Sequence, residues 1–481
     1  MWKSMIGNHE EMLNSIISAG GTNSSTSAQS RAQKPQMRIQ KVPQILRESK
    51  DSGGNFYAPR VVSIGPCHFG EQEDDKKVQH QMYNVKLKMA SALVSNDKHK
   101  LDELHKELLK KVKQVKDCYD VEIINSTNGY FSNEAAFTWM MLLDGCFILY
   151  YIKNFQDEAE MARMGMKTYH VAFVQQDLFL LENQLPFLVL EELMISSSTI
   201  LTKTEWMGKV TGFIAHNIMV PQNTRHICNI GWMEKVRSFI ARCKKTKHSS
   251  NTKESPPAHL LELLHKTIVG NESGHEQCTD NWYTFRNVKE LKEVGIHLRP
   301  AKTSFLTDIH YEHQGLSGRL NLPPITVDDA TNAKFMNLIA YEMCPDASDE
   351  IWVTSYVCFL DSLIDHADDV KELRSAGILH NHLGSDDEVA KLFNEMGTDL
   401  VPQPCAYSFV KHAIQNHYNS KRLNYIAQFK HQHLKNPWTM IALIGGILAL
   451  FFSGVQTYFQ VWSRQSDCDK LCKHIKILEH I

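Results

Sequence analysis

The sequence predicts a mainly α-helical protein, formally α+β because of a small β element near residues 296–328, with a large helical head followed by one C-terminal transmembrane helix. Apolar residues recur at three- and four-residue spacing through most of the chain, which is typical of helices. Short alternating segments near residues 296–328 indicate strands, and residues 437–462 carry no charge. A chain of 481 residues that is 43% hydrophobic can form a packed core, and its net charge of −2 argues against a nucleic-acid partner.

The N-terminal part of the chain consists of a polar segment followed by a segment in which proline and glycine interrupt apolar residues. Residues 1–38 are predicted to be disordered, because the stretch GGTNSSTSAQSRAQKPQ is made of small polar residues. Proline and glycine interrupt the apolar runs of residues 42–70, which favours extended segments and turns. Residues 61–64 (VVSI) are at most a short strand.

Helices should dominate residues 39–243, the N-terminal part of the head. An amphipathic helix is predicted from residues at helical spacing: Leu101, Leu104, Leu108, Val112 and Val115. Residues 134–152 are apolar nearly all round and predict a buried central helix, in which Asp144 argues against a membrane span. Residues 177–194 predict a second apolar helix, which Pro186 should kink or divide.

The polar, proline-ended loop 244–258 is the best internal boundary, and residues 259–436 form the C-terminal part of the head. Two or three strands are expected within residues 296–328, and helices return from Ala333. A 26-residue helix over residues 437–462 would be about 39 Å long, enough to cross a bilayer. Residues 463–481 form a short tail.

The compartment is predicted from the termini and the cysteines. The N-terminus lacks the continuous apolar core of a signal peptide, so the simplest topology is a single-pass tail anchor in the plasma membrane or an endomembrane, with a cytosolic head. Eleven dispersed cysteines fit free thiols in a reducing compartment. Sequons at Asn23, Asn125 and Asn271 matter only if the head is lumenal.

Several segments together carry a family resemblance. Residues 57–70 (YAPRVVSIGPCHFG), 134–149 (EAAFTWMMLLDGCFIL) and 177–187 (DLFLLENQLPF) are followed in order by the membrane span. The chain resembles the plant family known as domain of unknown function 247 over about residues 40–462. Cys67 and the acidic stretch that follows Gly70 depart from the family pattern, which suggests a divergent member.

The resemblance implies a plant-specific, mostly helical protein that ends in one membrane span and has no established enzyme activity. It also implies that some grass members are pollen-side determinants of self-incompatibility. No cofactor is implied. The chain carries no GxSxG, Walker-type, GxGxxG or HExxH motif, so the usual anchors of hydrolases, nucleotide-binding proteins and zincins are missing.

Asp144 and Glu182 are the strongest candidates for buried carboxylates, and two interpretations stay open. Held close together, they could act as an acid–base pair in an unrecognised enzyme. Alternatively they form a structural core motif with Asn183 and Gln184, in which each accepts hydrogen bonds and fixes helix packing. The structural interpretation is preferred, and no catalytic, cofactor-binding or metal-binding residue is predicted.

The tail offers two further features. Cys468 and Cys472 lie just after the span, where cysteines are either acylated or inert. Within the span, Gly445, Ala449 and Ser453 form a ridge of small residues that would let two copies pair as a homodimer, although glycine is common in membrane helices anyway.

The leading hypothesis is a membrane-anchored recognition or signalling protein without enzymatic activity, whose head binds another protein, either a secreted or a cytosolic ligand. Loops such as 70–80 and 244–258 would supply specificity. The alternatives are an enzyme built on Asp144 and Glu182, and a membrane scaffold that acts through its tail helix.

Overall fold

A computed structural model describes most of the chain. The described residues are 38–48, 56–69, 76–125, 132–196, 201–220, 257–270, 286–315, 317–347, 351–420 and 437–478. The predicted disordered segment 1–38, apart from its last residue, lies outside them, as does most of the loop 244–258. Residues 38–481 group as one compact unit.

Helices make up most of the first half of the head. They are α1 Gln44–Glu48, α2 Lys76–Leu93, α3 Lys98–Lys110, α4 Val112–Asp117, α5 Val121–Asn125, α6 Glu134–Asn154, α7 Glu158–Met164, α8 Thr168–Asp177, α9 Phe187–Ser196 and α10 Lys203–Asn217. The predicted amphipathic helix is thus two helices, α3 and α4, separated at Lys111.

The second half mixes helices with short strands. Its elements are α11 Leu260–Val269, α12 Val288–Glu293, β1 Ile296–Pro300, β2 His310–Gln314, β3 Ser317–Leu322, β4 Ile325–Val327, α13 Thr331–Glu342, α14 Trp352–Leu363, α15 Ala367–Ser375, β5 Leu379–Asn381, α16 Asp386–Gly397, α17 Ser408–Asn419 and α18 Pro437–Leu478. The prediction of a mainly α protein with a small β element is confirmed.

The core of the first half surrounds α6. Asn133 caps its N-terminus by accepting hydrogen bonds from the N–H groups of Ala135 and Ala136. The helix is apolar nearly all round, and α2, α3, α9 and α10 pack against it. Gly145 allows α9 to approach α6 closely, since a Cβ there would lie 2.4 Å from Leu193 Cδ1 on α9.

The β element consists of two small sheets. In the first, β3 lies between β1, with which it pairs in parallel, and β2, with which it pairs antiparallel. In the second, β4 pairs in parallel with β5. Strand β5 has only three residues, too few for an alternating pattern to be seen in the sequence.

The prediction of an apolar helix over residues 177–194, kinked or divided at Pro186, was wrong for residues 178–186. Residues 177–194 do not form one helix, because α8 ends at Asp177 and α9 begins at Phe187, with a buried turn between them. Pro186 disfavours helical geometry in the residue before it. In addition, side chains of the turn donate hydrogen bonds to the turn's own backbone carbonyl groups. Residues 61–64, expected to be at most a short strand, form none, and the N–H groups of Val61, Val62 and Ile64 donate to side chains instead.

Two described helices are long and apolar enough to cross a membrane. One, Glu134–Asn154, is 72% buried within the head, as expected of a core helix. The other, Ile441–Val461 within α18, is 0% buried. The two helices are equally long, at 21 residues, so their surroundings distinguish them.

The cysteines differ from the expectation of free thiols at one position. Cys405 is disulfide-bonded. Among the described side chains, Cys67, Cys118, Cys146, Cys344, Cys358 and Cys472 form no disulfide.

Candidate functional site

The most elaborate polar site in the head is built on the turn between α8 and α9. We call Asp144, Asp177, Glu182, Asn183 and Gln184 the buried network. All five side chains are at most 5% exposed. They bind backbone groups of distant segments, which otherwise would have no hydrogen-bond partners in the core.

Asn183 joins the turn to the segment that precedes α2. Its Oδ1 accepts a hydrogen bond from the N–H of Ile64 at 2.6 Å, and its Nδ2 donates to the carbonyls of Val62 at 3.0 Å and Asp177 at 2.8 Å. A side-chain amide is suited to this position because it offers donors and an acceptor together. The Asn183 side chain thereby bonds the backbone around residue 63 in the way that a neighbouring strand would in a sheet.

Gln184 also forms hydrogen bonds with backbone groups, both within the turn and in α11. Its Nε2 donates to the carbonyls of Leu178 and Leu180, and its Oε1 accepts from the N–H of Leu261 at 3.1 Å. The Gln184 carbonyl accepts from the hydroxyl of Tyr119. This one residue thus links the turn to both halves of the head.

Asp144 projects from the middle of α6 toward the same segment. Its Oδ2 accepts a hydrogen bond from the N–H of Gly65, and its Oδ1 is paired with the ammonium group of Lys86. Lys86 also donates to the carbonyl of Ser63 at 2.7 Å. Gly65 has a φ of +69°, and its position lies against Tyr119 and the Gln184 carbonyl, so glycine is required there.

Glu182 binds the N-terminal strap, residues 38–48. Its Oε1 accepts from the N–H of Val42 at 2.8 Å and lies 2.5 Å from Arg47 of α1. Its Oε2 is 3.7 Å from His68 Nε2. The carboxylate therefore ties the start of the described head to the turn.

Asp177 was missed as a site residue by the sequence analysis. Its carboxyl group accepts hydrogen bonds from three successive N–H groups, those of Arg60, Val61 and Val62, at 2.8–2.9 Å. Burial raises the pKa of Asp177 to about 6, although the three N–H donors and Arg60 act in the opposite direction. The available sequence signal was its position at the start of the DLFLLENQLPF motif.

The network continues into the second half of the head through Asn337 of α13. Its Oδ1 accepts from the N–H of Leu181, and its Nδ2 donates to the carbonyl of Phe56. On the same helix, Glu342 pairs with His265 at 2.7 Å and accepts from the N–H groups that begin α14. Neither residue was singled out from the sequence.

The side chains of the buried network connect separate segments of the head through hydrogen bonds and ion pairs. Asp144 and Glu182 share no hydrogen-bond donor among the described residues, and each has its own cation, Lys86 for one and Arg47 for the other. The two carboxylates thus have separate partners in the head, and an acid–base pair built on them stays a prediction. The amide groups of Asn183 and Gln184 are likewise engaged on both their oxygen and nitrogen atoms.

A second acidic group lies beside a surface cleft of about 510 Å³ between α15 and α16. Its members, Asp365, His366 and Asp369, bring three potential ligand atoms within 4.8 Å of one another. Asp369 accepts from the N–H groups of Asp365 and His366 and from that of Lys289. The His366 side chain accepts from the Asp369 N–H in return. We assign this group to capping of α15.

The tail residues singled out from the sequence lie on α18. Gly445, Ala449 and Ser453 are exposed, and no atom lies within 4 Å of a Cβ built on Gly445. Cys472 is exposed and free, while the side chain of Cys468 lies outside the described residues. Pairing and acylation remain predictions.

Comparison with known proteins shows which family the chain belongs to. The family model described as a plant protein of unknown function, DUF247, matches residues 39–452. The chain belongs to this family. It is similar to two proteins of Arabidopsis thaliana: the UPF0481 protein At3g47200, 26% identical over 425 residues (85% of this chain and 84% of the relative), and the UPF0481 protein At3g02645, 21% identical over 485 residues (85% and 87%). No solved structure matches the chain significantly.

Proposed function

We propose that this member of the DUF247 family is a membrane-anchored recognition protein whose head binds another protein and acts without catalysis. The observation that carries the proposal is the contrast between the two apolar helices. One is buried in the head, whereas Ile441–Val461 presents its apolar side chains without cover. Exposed apolar surface of this length is stable in a bilayer and costly in water.

The buried network supports the second part of the proposal. Its carboxylates and amides are engaged with backbone groups of the head, so they are accounted for by folding. A rigid head with polar loops at its surface is the usual form of a recognition domain. The more specific role in pollen self-incompatibility is suggested by the family resemblance alone.

The test exchanges residues 437–462 for an unrelated membrane span in the full-length chain. Neighbouring proteins are then identified by cross-linking in plant membranes. A recognition head that needs only anchoring keeps the same cross-linked neighbours after the exchange. Loss of those neighbours would contradict the proposal and favour a scaffold that acts through pairing of its tail helix.

A control holds the span constant and weakens the head instead. Asn183→Ala breaks three hydrogen bonds of the buried network and leaves α18 unchanged. The proposal expects this variant to stay in the membrane and to lose the cross-linked neighbours. A variant that keeps them all would show that the head is not the binding part.

A further inference from the structure

A row of aromatic rings and cations lies on the outer side of α8. We call Arg60, Lys88, Lys167, Tyr169 and Phe173 the cationic patch. Tyr169 and Phe173 are one turn apart on α8, Lys167 directly precedes this helix, and the other two come from α2 and from the segment before it. The three cations are exposed, Tyr169 is 51% exposed and Phe173 is half-buried.

The aromatic rings link the cations into one continuous surface. Arg60 Cζ lies 5.3 Å from the ring centre of Phe173, and Lys167 Nζ lies 5.8 Å from the ring centre of Tyr169. The two ring centres are 6.4 Å apart. These distances are in the range of cation–π contacts, which hold a cation beside a ring without neutralising its charge. The row therefore has an apolar centre and a positive charge at each end.

Lys88 adds a third cation at the Lys167 end of the row. Its Nζ is 3.9 Å from the position that a Cβ on Gly165 would take, two residues before Lys167 in the chain. The N-terminus of α8 lies at the same end, and its first turn carries no acidic residue. The partial positive charge of a helix N-terminus therefore adds to that of the two lysines.

No carboxylate of the described part of the chain forms an ion pair with a patch cation. By contrast, the exposed Lys106 pairs with Asp102 on α3. Arg60 does lower the pKa of Asp177 against the effect of burial, but this carboxyl group is 1% exposed and accepts three backbone N–H groups. Since the whole chain has a net charge of −2, the positive charge presented here is local.

The aromatic centre of the patch is fixed by a buried neighbour. His170 is 3% exposed, and its Nδ1 accepts a hydrogen bond from the Lys167 N–H at 3.2 Å. Its ring centre lies 4.2 Å from that of Tyr169. Because the ring is already held, a ligand has few side chains to order when it binds. Aromatic residues and arginine are also the residue types enriched at the centre of protein interfaces.

We propose that the cationic patch binds an extended acidic segment of a partner protein. Side chains on one face of an extended chain are about 6.8 Å apart, close to the 5.3–6.4 Å steps along the patch. Acidic side chains would face Arg60 at one end and the two lysines at the other, with an apolar side chain over the rings. This inference rests on the proposed function, since it names the surface of the head that binds another protein.

The experiment measures binding of a fluorescent peptide, Glu-Glu-Ser-Leu-Ser-Glu-Glu, to the full-length chain in detergent micelles by fluorescence anisotropy. The patch variant combines Arg60→Gln, Lys88→Gln and Lys167→Gln. The control variant removes the same charge from exposed lysines outside the patch by combining Lys98→Gln, Lys113→Gln and Lys209→Gln. A second peptide has glutamine in place of every glutamate, and an RNA oligonucleotide of equal charge tests whether any polyanion binds.

The patch variant should bind the acidic peptide at least about tenfold more weakly than wild type, whereas the control variant should stay within about twofold. The glutamine peptide should not bind. Equal losses in the two variants would overturn the inference, because net charge alone would then explain binding. RNA bound as tightly as the peptide would also overturn it, since the patch would not select a protein segment.

Cross-linking in plant membranes separates this inference from the proposed function. Both are supported if the patch variant loses the neighbours that wild type and the control variant keep. If the patch variant keeps them and Asn183→Ala loses them, the head remains the binding part and the cationic patch is overturned as its surface. If both variants keep them, the proposed function fails as well.

Discussion

Replacement of Asn183 by alanine tests whether the buried network holds the head together. The side chain is 1% exposed and makes three hydrogen bonds, to the N–H of Ile64 and to the carbonyls of Val62 and Asp177. Asn183→Ala leaves these three groups in the core without that partner. At about 1–1.5 kcal/mol for each of the three bonds, the free energy of unfolding should fall by about 3–4.5 kcal/mol.

The assay is pulse proteolysis of the full-length chain in detergent micelles across a urea series, which measures the fraction of unfolded head. The control is Asn416→Ala on α17, where the side chain is exposed. Its effect should stay within about 0.5 kcal/mol. A loss below about 1 kcal/mol for Asn183→Ala would refute the structural assignment of the network, because water or a shifted backbone would then satisfy the same groups.

Two further predictions concern the packing and the pH response of the head. Gly145→Ala should destabilise it by about 1–3 kcal/mol, because the new methyl group would lie 2.4 Å from Leu193 Cδ1, whereas Gly208→Ala on the exposed side of α10 should stabilise it by about 0.5–1 kcal/mol. Both values come from urea midpoints, and equal effects at the two glycines would contradict the packing. Complete burial lowers the pKa of His259 from 6.5 to about 4, and its Nδ1 accepts from the Glu262 N–H. Between about pH 4 and pH 6.5 the unfolded chain therefore binds more protons than the folded chain. The free energy of unfolding should consequently fall by about 3 kcal/mol as the pH falls from 6.5 toward 4. His259→Asn keeps a capping acceptor and should lack this loss; the same pH slope in both proteins would contradict the assignment.

Much of the fold could be predicted from the sequence because it depends on local patterns. The apolar character of residues 134–152 identified the central helix, and Asp144 correctly separated it from the tail helix as a core element. Alternation near residues 296–328 indicated the strands. Strand β5 escaped prediction because its pairing with β4 is a long-range contact of only three residues.

The site was predicted only in part, for a physical reason. Glu182, Asn183 and Gln184 were singled out as polar residues within an apolar run, and all are buried. Their partners could not be inferred, since they are backbone groups more than seventy positions away in several cases, such as Ile64 for Asn183 and Leu261 for Gln184. The same distance hid Asn337, whose amide looks like any other polar residue of a helix.

The measurement that tests the account most directly is membrane integration through Ile441–Val461. The full-length chain is expressed in plant cells and its membranes are extracted at alkaline pH. We expect the wild-type chain to stay with the lipid and a chain with both Ile447→Arg and Leu450→Arg to shift to the soluble fraction, because two arginines at mid-span oppose insertion by roughly 5–7 kcal/mol. A wild-type chain released by alkaline extraction would contradict the membrane anchor and with it the proposed function.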